Sequence, residues 1–185
     1  MILNDNQIHG LIKEGMVKNC LPELINPASL DLRLGDLIMI ESVESHEMIP
    51  LSISKCTTDN PYLLTPGQFV LAQTVEIFHM PEDIAGLFFL KSSRAREGYE
   101  NLHAGYADPG WHGSSLTLEL KNARQLQSLP LYPGLKIGQM VFFRMSAQPA
   151  VSYAAVGHYN NDQLVTPSCQ FLDLKPRLGK SVKVA

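Results

Sequence analysis

Three short stretches of the sequence carry side chains that suit chemistry on a phosphorylated ligand. The stretch KSSRAR at residues 91–96 places two hydroxyls and three cations within six residues. Such groups bind phosphate oxygens well, because charge-assisted hydrogen bonds are short and strong and an arginine can hold two oxygens at once. Asp108 precedes a Pro-Gly pair, and Glu119 is the one carboxylate in the apolar pattern LTLEL at residues 116–120. Together these residues predict a nucleotide site with its own general base.

The elements that must position these residues are mostly strands. Asn4 or Asp5 is placed to cap a short N-terminal helix that ends at Gly15. Alternating or β-rich patterns then predict strands at residues 29–34, 37–40, 69–78, 129–131 and 137–145, with a turn at Gly35-Asp36 between the first two. Many short strands with Pro and Gly punctuation predict a mainly β domain, built as a sandwich, jelly roll or barrel.

Length and composition predict one soluble domain spanning residues 1–185. The chain has 45% hydrophobic and 18% charged residues, as ordinary globular proteins do. A net charge of −3 argues against a nucleic-acid-coating surface. The N-terminus lacks the pattern of a signal peptide, and no apolar run has the length of a membrane span. Three scattered cysteines without zinc-like spacing favour a reduced, cytoplasmic setting.

Residues 153–185 form a polar, aromatic-bearing tail after the last predicted strand. Three roles stay open for this tail: a segment that closes over a ligand, a surface strap, or an arm exchanged between subunits.

Five motifs in order resemble the dCTP deaminase family of the dUTPase-like superfamily, and the likeness runs from residue 1 to about 168. They are INPASLDLRLG at residues 25–35, KSSRAR at 91–96, AGYADPGW at 104–111, LTLELKN at 116–122 and LPLYPGLKIGQ at 129–139. The resemblance implies a distorted β-barrel or jelly-roll subunit with a short N-terminal helix. It also implies a homotrimer with shared active sites, and Mg²⁺ that arrives on the nucleotide triphosphate, with no zinc and no metal held by the protein.

The resemblance further implies a role for each matching residue. Glu119 stands at the general acid/base position, Ser92 holds the attacking water and Arg96 supports the developing charge. The implied substrate-binding residues are Lys91 and Ser93 at the phosphates, Asp108 at the sugar 3′-hydroxyl, Thr117 and Leu118 at the base pocket, Ala104 in the segment before Asp108, and Tyr153, His158 and Gln163 in the tail.

Replacing the 4-amino group of cytosine by oxygen requires an activated water, a proton for ring N3 and a proton for the departing ammonia. The chain lacks the H-x-E and P-C-x-x-C signatures of zinc deaminases. The proton transfers therefore fall to a side chain, and a carboxylate between Leu118 and Leu120 has the desolvated surroundings that raise a pKa into a useful range. Taken with the resemblance, these features imply metal-independent deamination of dCTP to dUTP.

Several alternatives stay open at this stage. The Ala104-Gly105 pair resembles bifunctional members that also cleave dUTP to dUMP, while a plain dUTPase lacks support because its Gly-rich closing motif is absent. Leu90, Arg94 and the extra residue within 113–115 depart from the family pattern and keep a non-catalytic nucleotide-binding homologue in view. Glu119 can also be a strand residue that faces solvent, and Asp108 a simple turn residue.

Overall fold

The structure is a computed structural model that describes residues 1–169. Part of the predicted tail, residues 170–185, lies outside the described residues. Within residues 1–169 the α-helices are α1 (Asp5–Lys13), α2 (Ser92–Glu97) and α3 (Tyr153–Val156), and a 3₁₀ turn spans Pro22–Leu24. The strands are β1 (Val17–Lys18), β2 (Ile25–Asn26), β3 (Ser29–Glu41), β4 (Met48–Ser52), β5 (Tyr62–Leu64), β6 (Phe69–His79), β7 (Ile84–Leu90), β8 (Tyr99–Asn101), β9 (Tyr106–Ala107), β10 (His112–Asn122), β11 (Leu129–Leu131) and β12 (Lys136–Arg144).

The predicted N-terminal helix is α1, and its cap explains where it begins. The side chain of Asn4 accepts a hydrogen bond from the backbone N–H of Gln7, and the Gln7 side chain accepts one from the backbone N–H of Asn4. This reciprocal capping box satisfies two backbone donors that a helix start leaves free. Gly15, with a φ of +100°, follows the last turn as predicted.

Strand β3 joins the two halves of the main sheet. Its first half pairs with β12 and β2, and its second half pairs with β6 and β4. The sheet continues from β12 to β7 and β9 on one side, and from β6 to β10 and β8 on the other. Fully buried side chains such as Leu32, Phe78, Leu118 and Phe142 belong to one apolar cluster, so both halves cover a common core.

The predicted turn at Gly35-Asp36 is wrong, because these residues lie inside β3. Leu34 pairs with Thr74 and Ile38 pairs with Ala72, so β3 advances four residues while β6 advances two. The strand therefore contains a bulge-like irregularity here, and the chain does not reverse direction. A side chain at Gly35 would come within 2.7 Å of the Gln73 side chain, which explains why a glycine fits at this close approach.

The extra residue within 113–115 is absorbed by irregularities in the pairing of β10 with β6. His112 opposes His79 and Ser114 opposes Phe78, so Gly113, with a φ of +72°, is the added residue. A second shift in the pairing register follows: Ser115 pairs with Ile77 and Thr117 pairs with Gln73, so here β6 has two more residues than β10. From Leu116 to Leu120 the strand then alternates, with the leucines buried in the core and Thr117 and Glu119 on the opposite face.

Candidate active site

A cavity of about 960 Å³ opens on the face of β10 that carries Glu119. Thr117 and Ser115, which lie two and four residues earlier on the same face, also line it. Phe69 and Leu71 of β6 form an apolar part of the wall. The rest of the wall comes from the segment that joins β3 to β4, residues 104–111, and residues 153–168 of the tail.

Glu119 has the electrostatic setting of a proton carrier. Its Oε2 is buried and has no hydrogen-bond partner within residues 1–169. Burial penalises the charged form and raises the pKa of the Glu119 carboxyl from 4.5 to about 7. At neutral pH both protonation states are therefore populated, which is the condition for a group that must accept and then return protons.

The main chain of Glu119 is held by the end of β8. Its backbone N–H donates to Oδ1 of Asn101 at 3.0 Å, and its carbonyl oxygen accepts from the backbone N–H of Leu102 at 3.1 Å. The side chain of Asn101 thus supplies the acceptor that a longer partner strand would supply. These two bonds fix the peptide unit from which the catalytic candidate projects.

The opposite end of the cavity is formed where the tail meets residues 108–115. Asp108, Trp111 and Tyr153 line the cavity here. The carbonyl oxygen of Tyr159 accepts hydrogen bonds from Nε1 of Trp111 and from Oγ of Ser114, each at 2.8 Å. These bonds hold the described part of the tail against the beginning of β10.

The bulge in β10 provides further tail contacts. Oγ of Ser114 accepts from the backbone N–H of Asp162 at 3.0 Å, and the backbone N–H of Ser115 donates to the carbonyl oxygen of Asp162 at 2.9 Å. A side chain at Gly113 would come within 2.3 Å of Oδ1 of Asn161, so the tail also packs closely on this glycine. The irregular start of β10 is therefore the surface on which the tail lies.

The basic stretch at residues 91–96 does not line this cavity in the described part of the chain. Ser92, Ser93 and Arg96 are exposed on α2. Lys91, just before α2, donates to both carboxylate oxygens of buried Asp31 at 2.6 Å. Its ammonium group is thus already paired with an anion within its own chain.

The structure brings together five of the predicted site residues around one cavity: Glu119, Thr117, Asp108, Ala104 and Tyr153. It does not bring the others to the same cavity. The stretch at residues 91–96 lies elsewhere, Leu118 is fully buried in the core, and His158 and Gln163 are exposed outside the lining.

Sequence reasoning missed several residues that line the cavity. Ser115 was detectable, because it has the same strand parity as Thr117 and Glu119. Trp111 lies within the motif AGYADPGW but had no predicted role. The segment between β3 and β4 has no local signal, since only the tertiary fold brings it to the cavity.

Two further properties of residues 1–169 bear on function. This part of the chain contains no group of three or more His, Cys, Asp or Glu side chains placed to hold a metal ion. The helices found among these residues are too short or too polar to cross a membrane.

The sequence is similar to known deaminases over most of its length. A family model described as dCTP deaminase-like matches residues 2–145. A "dCTP deaminase, dUMP-forming" of Nocardia farcinica is 35% identical over 94% of this chain and 93% of that protein. A protein of the same name from Thermobifida fusca is 34% identical over 94% of each chain.

Among solved structures, the 2′-deoxycytidine 5′-triphosphate deaminase from Agrobacterium tumefaciens is similar in fold. The TM-score is 0.63 at 20% identity, and the match covers 76% of this chain and 47% of that one. This chain thus matches about half the length of that protein. The likeness confirms the mainly β, barrel-like fold class predicted from the sequence.

Proposed function

The chain belongs to the dCTP deaminase-like family, and we propose that it catalyses the hydrolytic deamination of dCTP to dUTP and ammonia. The observation that carries this proposal is the carboxyl group of Glu119. Its Oε2 is buried and has no hydrogen-bond partner within residues 1–169, the residue lines the cavity, and burial raises the pKa of the carboxyl to about 7. Hydrolysis of dUTP at a phosphate does not require a proton-transferring carboxyl group beside the base, whereas replacement of the amino group by oxygen does.

The proposed reaction uses Glu119 as both base and acid. The carboxylate removes a proton from water while the water oxygen forms a bond to C4, and the proton passes to N3. In the tetrahedral intermediate, the same carboxyl group moves the hydroxyl proton to the amino group. The C4–N bond then breaks, ammonia leaves and a C4 carbonyl remains. One water is consumed, and its two protons end on N3 and on ammonia.

The proposal includes a homotrimer with shared sites, in which the α2 segment of a neighbouring copy reaches the Glu119 cavity. Ser92 would then hold the attacking water, Arg96 would stabilise the developing charge, and Lys91 and Ser93 would contact the phosphates. Support comes from the exposure of Ser92, Ser93 and Arg96 away from the cavity of their own chain. Lys91 is paired with Asp31 in the structure, so contact with a phosphate requires its ammonium group to exchange that carboxylate for a phosphate oxygen or to bind both.

The substrate is proposed to enter as its Mg²⁺ complex. A triphosphate carries several negative charges, and Mg²⁺ is commonly held by substrate phosphates and not by an all-protein cage. The tail, residues 153–185, is proposed to close over the nucleotide, which is supported by Tyr153 in the lining and by the bonds that hold residues 159–162 on β10. A cytoplasmic setting is consistent with three free cysteines.

A second candidate function extends the first. The relatives are named dUMP-forming, and Asp108 lines the same cavity as Glu119. In this bifunctional reading, Asp108 orients a second water toward the α-phosphorus of dUTP. A new P–O bond forms, the bond to the β-phosphate bridging oxygen breaks, and dUMP and pyrophosphate are released.

Product analysis tests the proposal. The purified chain is incubated with Mg²⁺ and either dCTP or dUTP, and nucleotides, ammonia and pyrophosphate are measured. Ammonia with dUTP supports deamination alone, and ammonia with dUMP and pyrophosphate supports both steps. Pyrophosphate from dUTP without ammonia from dCTP would support a dUTPase. Nucleotide-dependent thermal stabilisation without any product would support a non-catalytic homologue and contradict the proposal.

A further inference from the structure

Ser115 is a buried hydroxyl without a partner inside the cavity. Only 4% of the residue is exposed, and Oγ has no hydrogen-bond partner within residues 1–169. The residue nevertheless lines the cavity, on the same face of β10 as Thr117 and Glu119. A buried polar atom that lacks a partner is costly, so this hydroxyl is expected to meet a polar group of whatever fills the cavity.

The neighbouring hydroxyl of Ser114 is different, because its bonding capacity is already used. It donates to the carbonyl oxygen of Tyr159 and accepts from the backbone N–H of Asp162. Ser114 therefore holds the tail, whereas Ser115 keeps its side-chain bonds available. The two adjacent serines form a matched pair for experiment.

The position of Ser115 along β10 restricts the group that it can meet. Glu119 lies four residue steps further along the strand, which corresponds to about 13 Å between the two Cα atoms. That separation exceeds the length of a pyrimidine ring, so a base whose amino group lies at Glu119 leaves Ser115 beside the sugar. The backbone contact between Ser115 and Asp162 also places Ser115 at the tail end of the cavity, which Asp108 and Trp111 line.

Asp108 and Ser115 have complementary hydrogen-bonding roles. An ionised carboxylate only accepts, so a sugar hydroxyl bound to it must be the donor. The oxygen of that hydroxyl then still needs a donor of its own, and a serine O–H can supply one. The deoxyribose of dCTP has a single hydroxyl, at the 3′ position.

We propose that Ser115 is a substrate-binding residue that donates a hydrogen bond to the 3′-oxygen of the deoxyribose, while the 3′-hydroxyl donates to Asp108. This inference rests on the proposed function, since it takes a deoxycytidine nucleotide as the ligand. It adds a contact that specifies the sugar at a site where the base is specified by Glu119 and Thr117.

The test measures binding in a Glu119→Gln background, which is expected to bind nucleotide without turning it over. Dissociation constants for dCTP and for 2′,3′-dideoxycytidine triphosphate are determined by calorimetry with and without Ser115→Ala. Loss of the serine is expected to weaken dCTP binding about tenfold and to leave the dideoxy analogue within about twofold. Ser115→Thr, which keeps the hydroxyl, is expected to retain most of the dCTP affinity.

The matched control is Ser114→Ala, which is expected to weaken both nucleotides to the same extent, because it loosens the tail and not the sugar contact. If Ser115→Ala weakens both nucleotides equally, or neither, the inference is wrong while the proposed function stands. If Glu119→Gln binds dCTP no better than it binds an unrelated nucleotide, the proposed function and the inference fail together.

Discussion

Oδ1 of Asn101 lies 3.0 Å from the backbone nitrogen of Glu119 and accepts its hydrogen bond. The same residue stands at the end of β8, where the ladder with β10 finishes. The bond therefore connects the last residue of a short strand to the residue whose carboxyl group opens into the cavity. We interpret Asn101 as a positioning residue for Glu119, because it acts on the backbone of Glu119 and does not line the cavity.

Asn101→Ala is expected to lower kcat by about tenfold with little change in KM, because the backbone of Glu119 loses its acceptor while the nucleotide contacts remain. Asn101→Asp keeps an acceptor at the same place and is expected to restore most of kcat. The added negative charge should also raise the pKa of Glu119 and move the acid limb of the pH profile to higher pH. Equal losses of kcat in both variants, with unshifted profiles, would show a purely structural role.

The pH dependence of kcat/KM is expected to report the titration of Glu119. In the proposed reaction, the Glu119 carboxylate first takes a proton from water, so the rate should fall as pH drops below about 7, where burial places the pKa of Glu119. His79 is the control, because burial lowers its pKa and it lies outside the cavity lining. The His79→Gln variant should keep the acid limb of the kcat/KM profile at the same pH. If the acid limb disappears in this variant, the assignment of the limb to Glu119 is contradicted.

The free energy of unfolding should also depend on pH through the titration of Glu119. The folded chain binds the Glu119 proton more tightly than the unfolded chain, whose pKa is near 4.5, so the free energy of unfolding decreases as pH rises from about 4.5 to about 7. Glu119→Gln removes this dependence. Above pH 7 the variant is expected to be more stable than the parent by on the order of 2 kcal/mol, and at pH 4 the difference should vanish. Urea unfolding of both proteins at pH 4, 6 and 8 measures this difference, and a constant difference across the three values would contradict it.

Gly113→Ala is expected to raise KM for dCTP by about tenfold, because a new Cβ would lie 2.3 Å from Oδ1 of Asn161 and displace the tail. Gly134→Ala is a matched control, since Gly134 also has a positive φ, +84°, but a Cβ added there would have no other atom within 4 Å. Both variants carry a similar backbone cost of about 1 kcal/mol, so Gly134→Ala reports the effect of that cost without a clash against the tail. If Gly134→Ala raises KM as much as Gly113→Ala does, tail docking is not the cause.

The fold was predictable where local chemistry decides it. The cap at Asn4 and the β-rich run of β6 are features of nearby residues, and both predictions are confirmed. The turn predicted at Gly35 was wrong because a Gly-Asp pair is compatible with a turn and with a strand irregularity. The packing of the Gln73 side chain against Gly35, 38 residues apart in sequence, selects the second.

The candidate site was predictable where strand alternation decides it. LTLEL fixes the parity of Glu119 relative to its leucines, and the structure has the leucines in the core and the carboxyl group in the cavity. The pairing of Lys91 with Asp31, 60 residues away, and the position of Tyr159 on Trp111 depend on tertiary contacts that no local pattern encodes. A site that is completed by a second copy of the chain stays a prediction, since it concerns contacts between chains.

The most direct measurement of the central claim combines two inactive variants, Glu119→Gln and Ser92→Ala, in one assembly. Each variant alone is expected to bind dCTP and to release no measurable ammonia. When the two are unfolded together and refolded in equal amounts, about one quarter of the sites in randomly mixed trimers should contain both an intact Glu119 and an intact Ser92 from the neighbouring copy. Ammonia release at about that fraction of the parent rate is the predicted result. Near-normal turnover by Glu119→Gln alone, or no recovery in the mixture, would contradict the account.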